Sequence, residues 1–323
     1  MKFSNIPFQK IIRFGQQTLL DRPLFNVSWI LGRFCNYKCS YCWPYARSDK
    51  LDHQTLDVYK NTVDEIKRQA RLNGFTEFHW SFSGGEPTAY KQLLDLVKHL
   101  DDGPQTPYQS IHMTTNLSPG LKWWKNWANN TNMMQRRSIT ASFHSEFAKE
   151  QEFGDKCVQL MEDTVHVNVN QVMVPELFWE TLERCERLKA RGINVTLKPQ
   201  SDPSASVIVS GYTEEQLKIM RDDFQQQLDG ELQYQVRLTD GEQDYFLDHA
   251  ERFNPLNFNR FKGWTCNAGY QGIIIRVDEV KRAHSCHDQP LGTLENFTLF
   301  PKPMPCITPS CVSSADSKIP KCK

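Results

Sequence analysis

Three cysteines lie close together near the N-terminus, at Cys35, Cys39 and Cys42, with the spacing C-x3-C-x2-C. Thiolates are soft ligands, and they hold iron–sulfur clusters. A short loop with three of them can wrap one corner of a [4Fe–4S] cube and leave the fourth iron without a protein ligand. The spacing therefore predicts a catalytic cluster with one open iron. The alternatives are a zinc knuckle or unrelated thiols, but zinc sites usually pair C-x2–4-C with a second ligand pair nearby.

This triplet resembles the signature of the radical S-adenosylmethionine (radical SAM) enzymes, including the aromatic Tyr41 before the third cysteine. A second match, at Ser83-Gly84-Gly85-Glu86-Pro87, is similar to the glycine-rich motif with which that family holds the methionine end of SAM. In the family, the open iron chelates the amino and carboxylate groups of SAM. An electron from the cluster then cleaves SAM to methionine and a 5′-deoxyadenosyl radical, which abstracts a hydrogen atom.

The resemblance implies roles for single residues. Tyr41 packs beside the cluster and SAM, and the turn from Ser83 to Pro87 binds the methionine amino group. The backbone of Gly84 and Gly85 can approach SAM closely because neither residue has a Cβ. Ser142 fits the family's position near the SAM carboxylate and ribose. Further candidates on neighbouring strands are Asn116, His144 and Asn170. No motif assigns the acid or base that acts on the substrate.

Strand-like and helix-like patterns alternate through the first two thirds of the chain, which is typical of βαβ units and a parallel sheet. Six segments have the strand pattern: 27–31, 75–82, 110–116, 138–143, 164–174 and 193–199. The resemblance implies an α/β fold, a partial (β/α)6 TIM-like barrel open on one side. The expected units are a lead-in (1–24), the barrel (25–200), a linker or substrate wall (201–261) and a small cysteine-rich domain (262–323).

Within these strands, apolar residues alternate with polar ones. Side chains alternate across a strand, so we expect the apolar set to face the helices and the polar set to face the barrel interior. The polar set is His79, Ser81, Ser83, His112, Thr114, Asn116, Thr140, Ser142, His144, His166, Asn168, Asn170, Thr196, Lys198 and Gln200. The pattern predicts a polar cavity and a hydrophilic substrate. An antiparallel sheet with one wet face is the alternative.

A second group of cysteines lies after residue 262. The segment from Cys266 to Cys286 reads as a hairpin with a cysteine at each end, and Cys306 and Cys311 follow a proline-rich loop. This resembles the auxiliary-cluster extensions called SPASM, with two clusters, and twitch, with one. Five thiols suit one [4Fe–4S] cluster, so the predicted ligands are Cys266, Cys286, Cys306 and Cys311, with Cys322 as a spare or substitute. A four-thiolate zinc site is the alternative.

Composition limits the remaining functions. The chain has 38 basic and 38 acidic residues, which argues against bulk electrostatic binding to nucleic acid or an anionic membrane. No apolar run is long enough to span a bilayer, and the N-terminus lacks a signal-peptide pattern. We therefore expect a cytoplasmic protein. Two further cysteines, Cys157 and Cys185, are interpreted as ordinary helix residues.

The sequence thus predicts a radical SAM enzyme with one auxiliary cluster that attacks a C–H bond of a polar substrate. The resemblance implies a reductant such as flavodoxin or ferredoxin. A small molecule is slightly favoured as substrate, because the 33 residues ahead of the cysteine loop look too short for a leader-peptide-binding domain. A ribosomal peptide is the runner-up. The other classes are a non-catalytic iron–sulfur electron carrier and a zinc-stabilised nucleic-acid-binding protein.

Overall fold

The computed structural model describes residues 6–43, 45–203, 207–230, 236–247, 258–286 and 289–323. Parts of the expected linker or wall region, 201–261, therefore lie outside the described residues. The helices are α1 (Gln17–Asp21), α2 (Leu56–Leu72), α3 (Leu93–His99), α4 (Leu121–Asn130), α5 (Glu150–Glu162), α6 (Phe178–Ala190), α7 (Glu214–Gly230) and α8 (Ser314–Ser317). The strands are β1 (Arg13–Gln16), β2 (Leu24–Ile30), β3 (Glu77–Ser83), β4 (Gln109–Thr115), β5 (Arg136–Phe143), β6 (His166–Met173), β7 (Asn194–Pro199), β8 (Val236–Thr239), β9 (Asp244–Leu247), β10 (Thr265–Cys266), β11 (Gly272–Arg276), β12 (Glu279–Lys281), β13 (Pro290–Thr293), β14 (Asn296–Phe297), β15 (Met304–Pro305) and β16 (Lys321–Cys322).

Strands β2 to β7 lie side by side in chain order, and each pairs with the next in parallel. Helices α2 to α6 connect them, which confirms the predicted α/β partial barrel. Strand β7 is an edge of its sheet, so the barrel is open there. The parallel pairing also excludes the alternative of an antiparallel sheet with one wet face.

Helix α2 shows how the sequence builds a helix that packs against the sheet. Helix α2 begins after Thr55, whose hydroxyl accepts a hydrogen bond from the N–H of Val58 at 3.5 Å. Such a cap satisfies one of the free N–H groups at a helix start. Its buried residues Tyr59, Val63, Ile66 and Ala70 recur at helical spacing and pack on the sheet. Thr62 and Lys67 are also buried, and most of the other polar residues of the helix are at least partly exposed.

The alternation along the strands has the predicted result. Phe78, Trp80 and Phe82 of β3 are fully buried and share one core with the helices, as do the apolar residues of the other barrel strands. The polar residues between them keep some accessible surface and bond to each other across strands. His79 Nδ1 lies 2.8 Å from Ser110 Oγ, and His112 Nδ1 lies 2.9 Å from Ser138 Oγ. The barrel interior is therefore polar.

The C-terminal residues contribute to both sheets. Strand β11 pairs in parallel with β2, and β12, β13 and β14 extend that sheet to ten strands. The second sheet is antiparallel, in the order β15-β10-β16-β1-β8-β9. It combines strands from the N-terminal lead-in, the region after α7 and the C-terminus. The cysteines after residue 262 therefore lie on a framework that is continuous with the first barrel strand.

Low pH should destabilise the protein through the half-buried imidazoles of the barrel. Burial, with a contribution from Lys318 and Arg136, lowers the pKa of His112 to about 4, against about 6.5 in an unfolded chain. Between these values the unfolded state binds a proton that the folded state does not, so the free energy of unfolding falls as the pH is lowered. From pH 7.5 to pH 5.5 the expected loss from this residue is about 1 kcal/mol.

Denaturant titrations at both pH values check this. His112→Asn keeps an amide donor in place of Nδ1 and should remove about 1 kcal/mol of the acid-induced loss. His166→Asn is the control, because this imidazole is exposed and is hydrated before and after unfolding. Equal pH slopes for wild type and His112→Asn would contradict the prediction.

Candidate functional site

The predicted cysteine loop follows the carboxyl end of β2, and its three thiols lie close enough to act on one another electrostatically. The Cys42 N–H donates to the Cys39 carbonyl at 3.1 Å, and the Tyr37 N–H points at Cys35 Sγ at 3.5 Å. Burial, with contributions from Glu146, Cys35 and Cys42, raises the pKa of Cys39 to about 12. The free thiols therefore hold their protons at neutral pH, and a metal that binds there must displace those protons. Three soft donors on one loop fit a cluster with an open iron.

Two carboxylates fix the backbone of this loop, and sequence analysis missed both. Asp52 accepts hydrogen bonds from the N–H groups of Arg33 at 2.9 Å and Phe34 at 3.3 Å. Glu146 accepts from the N–H of Ser40 at 3.1 Å and from its hydroxyl at 3.0 Å. Glu146 is 106 residues from Ser40 along the chain. No local spacing could have indicated that contact.

The turn that follows β3 packs directly on the start of the cysteine loop. The Gly85 N–H donates to the Gly32 carbonyl at 3.0 Å, and the Glu86 N–H donates to the Phe34 carbonyl at 2.8 Å. A Cβ on Gly84 would lie 2.2 Å from the Gly32 oxygen, and one on Gly85 would lie 2.2 Å from the Phe34 oxygen. Gly84 also has a φ of 136°. The glycines are therefore needed for contact with the cysteine loop, while their contact with SAM stays a prediction.

The Glu86 side chain lies inside the protein and is 2% exposed. Its carboxylate accepts four hydrogen bonds, from the Thr88 N–H (2.9 Å), the Thr88 hydroxyl (2.7 Å), the Thr115 hydroxyl (2.7 Å) and the Asn116 N–H (2.6 Å). Burial raises the pKa of Glu86, and these donors oppose the increase. The carboxylate thus connects the turn to the end of β4.

Asn116 follows β4 and faces the cysteine loop. Its Nδ2 donates to Asn36 Oδ1 at 2.9 Å and lies 3.9 Å from Cys35 Sγ. Its Oδ1 accepts from the Ser118 N–H at 2.9 Å. The predicted site residue is therefore next to a predicted cluster ligand. An amide donor beside a ligating sulfur is one of the features that tune a cluster's potential.

Tyr41 and His144 form a second contact between the cysteine loop and the barrel. The Tyr41 hydroxyl lies 2.8 Å from His144 Nδ1, and the two rings are stacked with centroids 5.8 Å apart. Burial raises the pKa of Tyr41 and lowers the pKa of His144 to about 4, so both are neutral near pH 7. Tyr37 also packs edge-on against His144 and stacks on Phe147. Of these, sequence analysis missed Tyr37 and Phe147.

Ser142 and Asn170 occupy the strands beside this contact. Ser142 lies two residues before His144, and the β5–β6 register sets it opposite Asn170. Asn170 Oδ1 accepts from Asn168 Nδ2 at 3.2 Å. Both residues belong to the polar parity of the barrel, near the carboxyl ends of their strands, where barrel sites are built. Their contact with SAM stays a prediction.

The second cysteine group is buried in a separate core under the antiparallel sheet. Its four predicted ligands are Cys266, Cys286, Cys306 and Cys311. Thr308 lies between two of them, because its hydroxyl is 3.5 Å from Cys286 Sγ and its carbonyl is 3.7 Å from Cys306 Sγ. Cys266 contributes to the pKa of each of the other three thiols, whose values are raised first by burial. The four thiols therefore surround one region.

The loops that carry these thiols are bonded to each other. Asp316 accepts from the N–H groups of His284 and Ser285, and the Ser285 hydroxyl accepts from the Val312 N–H at 3.0 Å. The segment with Cys286 is thereby fixed to the segment with Cys311. Across the described ranges, no three His, Cys, Asp or Glu side chains converge tightly enough to hold a single metal ion.

Comparisons with known proteins agree with this geometry. A family model described as the radical SAM superfamily matches residues 29–224. The PqqA peptide cyclase of Bradyrhizobium diazoefficiens is 39% identical over 69 residues, which are 21% of this chain and 17% of the cyclase. A probable GTP 3′,8-cyclase of Saccharolobus islandicus is 29% identical over 106 residues, which are 33% of this chain and 30% of that protein. The chain thus matches less than a third of the length of either relative.

The fold is also similar to solved structures. One described as native anSMEcpe with bound AdoMet has a TM-score of 0.55 at 16% identity and covers 85% of this chain and 79% of that one. Another, with bound AdoMet and a Kp18Cys peptide, has a TM-score of 0.53 at 16% identity and covers 85% of this chain and 78% of that one. At such identity the likeness establishes the shared fold. No helix in the described part of the chain is long and apolar enough to cross a membrane.

Exchange of the buried carboxylate tests the connection between the turn and β4. Glu86→Gln turns one acceptor oxygen into an NH2 group that faces an N–H or O–H donor. A buried donor left without an acceptor costs about 1–3 kcal/mol, so the free energy of unfolding should fall by about that amount. The iron retained at the three N-terminal thiols should fall as well. Denaturant titration and iron assay measure the two effects.

Glu65→Gln is the matched control for this change. Glu65 lies on the outer side of α2, where it pairs with Arg68 at 2.7 Å and accepts from Gln69 Nε2 at 2.7 Å. Exposed pairs contribute little, so stability and iron content should stay close to wild type. A Glu86→Gln protein as stable and as iron-rich as the control would contradict the assigned role.

Proposed function

The chain belongs to the radical SAM superfamily, and from that premise we propose that it is an enzyme that abstracts a hydrogen atom from a C–H bond of a polar substrate. A bound [4Fe–4S] cluster with SAM supplies the 5′-deoxyadenosyl radical for such a reaction. The observation that carries the proposal is the contact between the two motifs. The turn from Ser83 to Pro87 is hydrogen-bonded to the loop with Cys35, Cys39 and Cys42, and its glycines leave no room for a side chain.

In this proposal the three thiols of the loop hold the cluster, and Asp52 and Glu146 keep the loop in shape. The turn binds the methionine end of SAM through backbone groups, since the Glu86 carboxylate is occupied by protein donors. Ser142, Asn170 and His144 lie on neighbouring strands on the same polar side of the barrel. They support a site for the carboxylate and ribose of SAM.

The polar interior supports a hydrophilic substrate. Hydrogen-bonding side chains line the strands, and the His79–Ser110 and His112–Ser138 pairs show that they are held in fixed positions. A small molecule is slightly favoured, and the local similarity to a probable GTP cyclase supports it. The local similarity to a peptide cyclase favours a ribosomal peptide as the second candidate.

The second cysteine group supports an auxiliary [4Fe–4S] cluster. Such a cluster could accept an electron from a substrate radical or pass one inward. A reductant such as flavodoxin or ferredoxin would supply the electron that SAM cleavage requires. We propose no nucleic-acid or membrane partner and a cytoplasmic location, in keeping with the balanced charge of the chain. A non-catalytic electron carrier is the competing class, and it predicts no SAM cleavage.

SAM cleavage is the direct test. After anaerobic reconstitution and reduction, the protein with SAM should form 5′-deoxyadenosine, measured by mass spectrometry. Cys42→Ser should reduce the product to the level found without protein, because the cluster loses one of three ligands. Cys322→Ser should behave like wild type, since this partly exposed thiol lies on the C-terminal strand β16. Wild-type protein that holds the cluster but forms no 5′-deoxyadenosine would support the electron-carrier class instead.

The class of substrate can be tested by measuring deuterium in the 5′-deoxyadenosine that the protein forms. Candidate nucleotides, other polar metabolites and short peptides are supplied in deuterated form, and the true substrate should transfer deuterium to 5′-deoxyadenosine. His112→Ala should then raise the substrate concentration needed for half-maximal rate, because the residue belongs to the polar interior. If apolar compounds gave the best deuterium transfer and His112→Ala changed nothing, the hydrophilic interior would not be the substrate site.

A further inference from the structure

A lysine lies directly across the sheet from the first cysteine of the second group. The register pairs Cys266 with Lys321, Lys321 with Phe14, and Cys266 with Met304. Residues paired in this way point to the same face of a sheet. Lys321 is 2% exposed and Cys266 is 4% exposed. An ammonium group and a candidate ligand sulfur thus share one buried surface.

The charge of Lys321 has no acidic partner among the described residues. Its Nζ donates to the backbone carbonyls of Asp316 at 2.7 Å and Ile319 at 3.0 Å. It also lies over the rings of Phe14 and Phe261, 5.1 and 4.9 Å from the centroids. Neutral carbonyls and aromatic rings solvate a cation only in part. A buried charge normally has a partner of opposite sign, so a negative group is expected nearby.

A second buried cation, Arg282, bonds to Ala268, whose N–H lies 3.5 Å from Cys266 Sγ. Arg282 is 4% exposed, and its Nε donates to the Ala268 carbonyl at 3.2 Å. Its other contacts are the Gln289 side chain and the ring of Phe300. It too lacks a carboxylate partner within the described ranges. Within the described ranges, two buried cations without a salt bridge therefore lie near the four thiols, together with the buried carboxylate of Asp316, which accepts from the N–H groups of His284 and Ser285.

The thiols respond electrostatically to both cations. Burial raises the pKa of Cys306, whereas Lys321 and Arg282 each lower it. Lys321 also opposes the increase in the pKa of Cys311, and Arg282 opposes it for Cys286, whereas the buried Asp316 carboxylate adds to the increase for both thiols. Lys321 and Arg282 thus act between them on three of the four thiols.

The remaining C-terminal thiol is excluded from this region by the same register. Cys322 pairs with Thr265 and Arg13, in the row adjacent to the one that contains Cys266. Successive residues of a strand point to opposite faces, so Cys322 points away from the other thiols. Four thiols, and not five, share the buried face. A cluster held by four of them has no open iron for a substrate, which favours electron transfer over substrate binding.

We propose that Lys321 and Arg282 are the counter-ions of a negatively charged metal–thiolate centre at Cys266, Cys286, Cys306 and Cys311, and that they raise its reduction potential. The inference rests on the proposed function in taking this centre to be an iron–sulfur cluster. Four thiolates leave an oxidised [4Fe–4S] cluster with two net negative charges, which Lys321 and Arg282 would offset, while the buried Asp316 carboxylate acts in the opposite sense. Reduction adds another negative charge, and nearby positive charge favours it.

The test is a redox titration of the anaerobically reconstituted full-length protein, followed by electron paramagnetic resonance with and without SAM. Only a cluster with an open iron should change its signal when SAM is added, so the unchanged signal reports the four-thiolate cluster. Lys321→Met should reduce the equilibrium constant for one-electron reduction of that cluster roughly tenfold, a shift of about 59 mV to lower potential. Arg282→Met should shift it in the same direction.

Two controls separate charge from packing. Lys321→Arg keeps the positive charge and should stay near wild type. Lys67→Met removes another buried ammonium, which lies on α2, bonds to the Leu100 carbonyl and pairs with Asp102 at 3.2 Å, and it should leave this potential unchanged. Loss of the SAM-insensitive cluster in Lys321→Met but not in Lys321→Arg would support the same role. Equal potentials for Lys321→Met and Lys321→Arg, or an equal shift in Lys67→Met, would overturn it.

Iron content separates this inference from the function on which it rests. Wild type should hold about eight irons per chain. About four irons, with only a SAM-sensitive signal, would remove the auxiliary cluster and this inference with it. Formation of 5′-deoxyadenosine would be unaffected in that case, because it depends on the N-terminal thiols alone.

Discussion

The candidate site depends on how closely two backbone segments can approach. The turn after β3 and the start of the cysteine loop are joined by two hydrogen bonds, from Gly85 to Gly32 and from Glu86 to Phe34. The oxygens of the loop occupy the positions that Cβ atoms at residues 84 and 85 would need. Any larger side chain would push the loop away from the turn. The relative position of the predicted cluster ligands and the predicted SAM-binding turn follows from this contact.

The barrel holds the two segments at that distance. The loop continues β2 and the turn continues β3, and the two strands pair in parallel over seven residues, from Leu24 and Glu77 to Ile30 and Ser83. The buried apolar side of these strands packs on the helices, so the strands cannot slip without exposing it. The Glu86 carboxylate then extends the connection to the end of β4. The register of β2 and β3 therefore sets the position of the cysteine loop relative to the turn.

The polar interior of the barrel and the two motifs of the site could be predicted from the sequence. Strand parity predicted the polar interior because alternation depends only on neighbouring residues, as in Phe78, His79 and Trp80. The cysteine triplet and the glycine turn were recognisable because each is a short motif. Glu146 and Asp52 were missed because their contacts with the loop exist only once the barrel has formed. The second sheet was missed for a similar reason, since it combines short strands from distant parts of the chain.

The register between β2 and β11 relates the two cysteine groups. The N-terminal thiols follow the carboxyl end of β2, whereas Cys266 precedes β11, whose first residue, Gly272, pairs with Asn26 near the start of β2. The two groups therefore lie toward opposite ends of the same strand, which at about 3.3 Å per residue spans roughly 20 Å. The polar interior of the barrel extends between those ends. A counter-charged cluster at one end and a radical-generating site at the other would place a substrate in the barrel between a source of radicals and an acceptor of electrons.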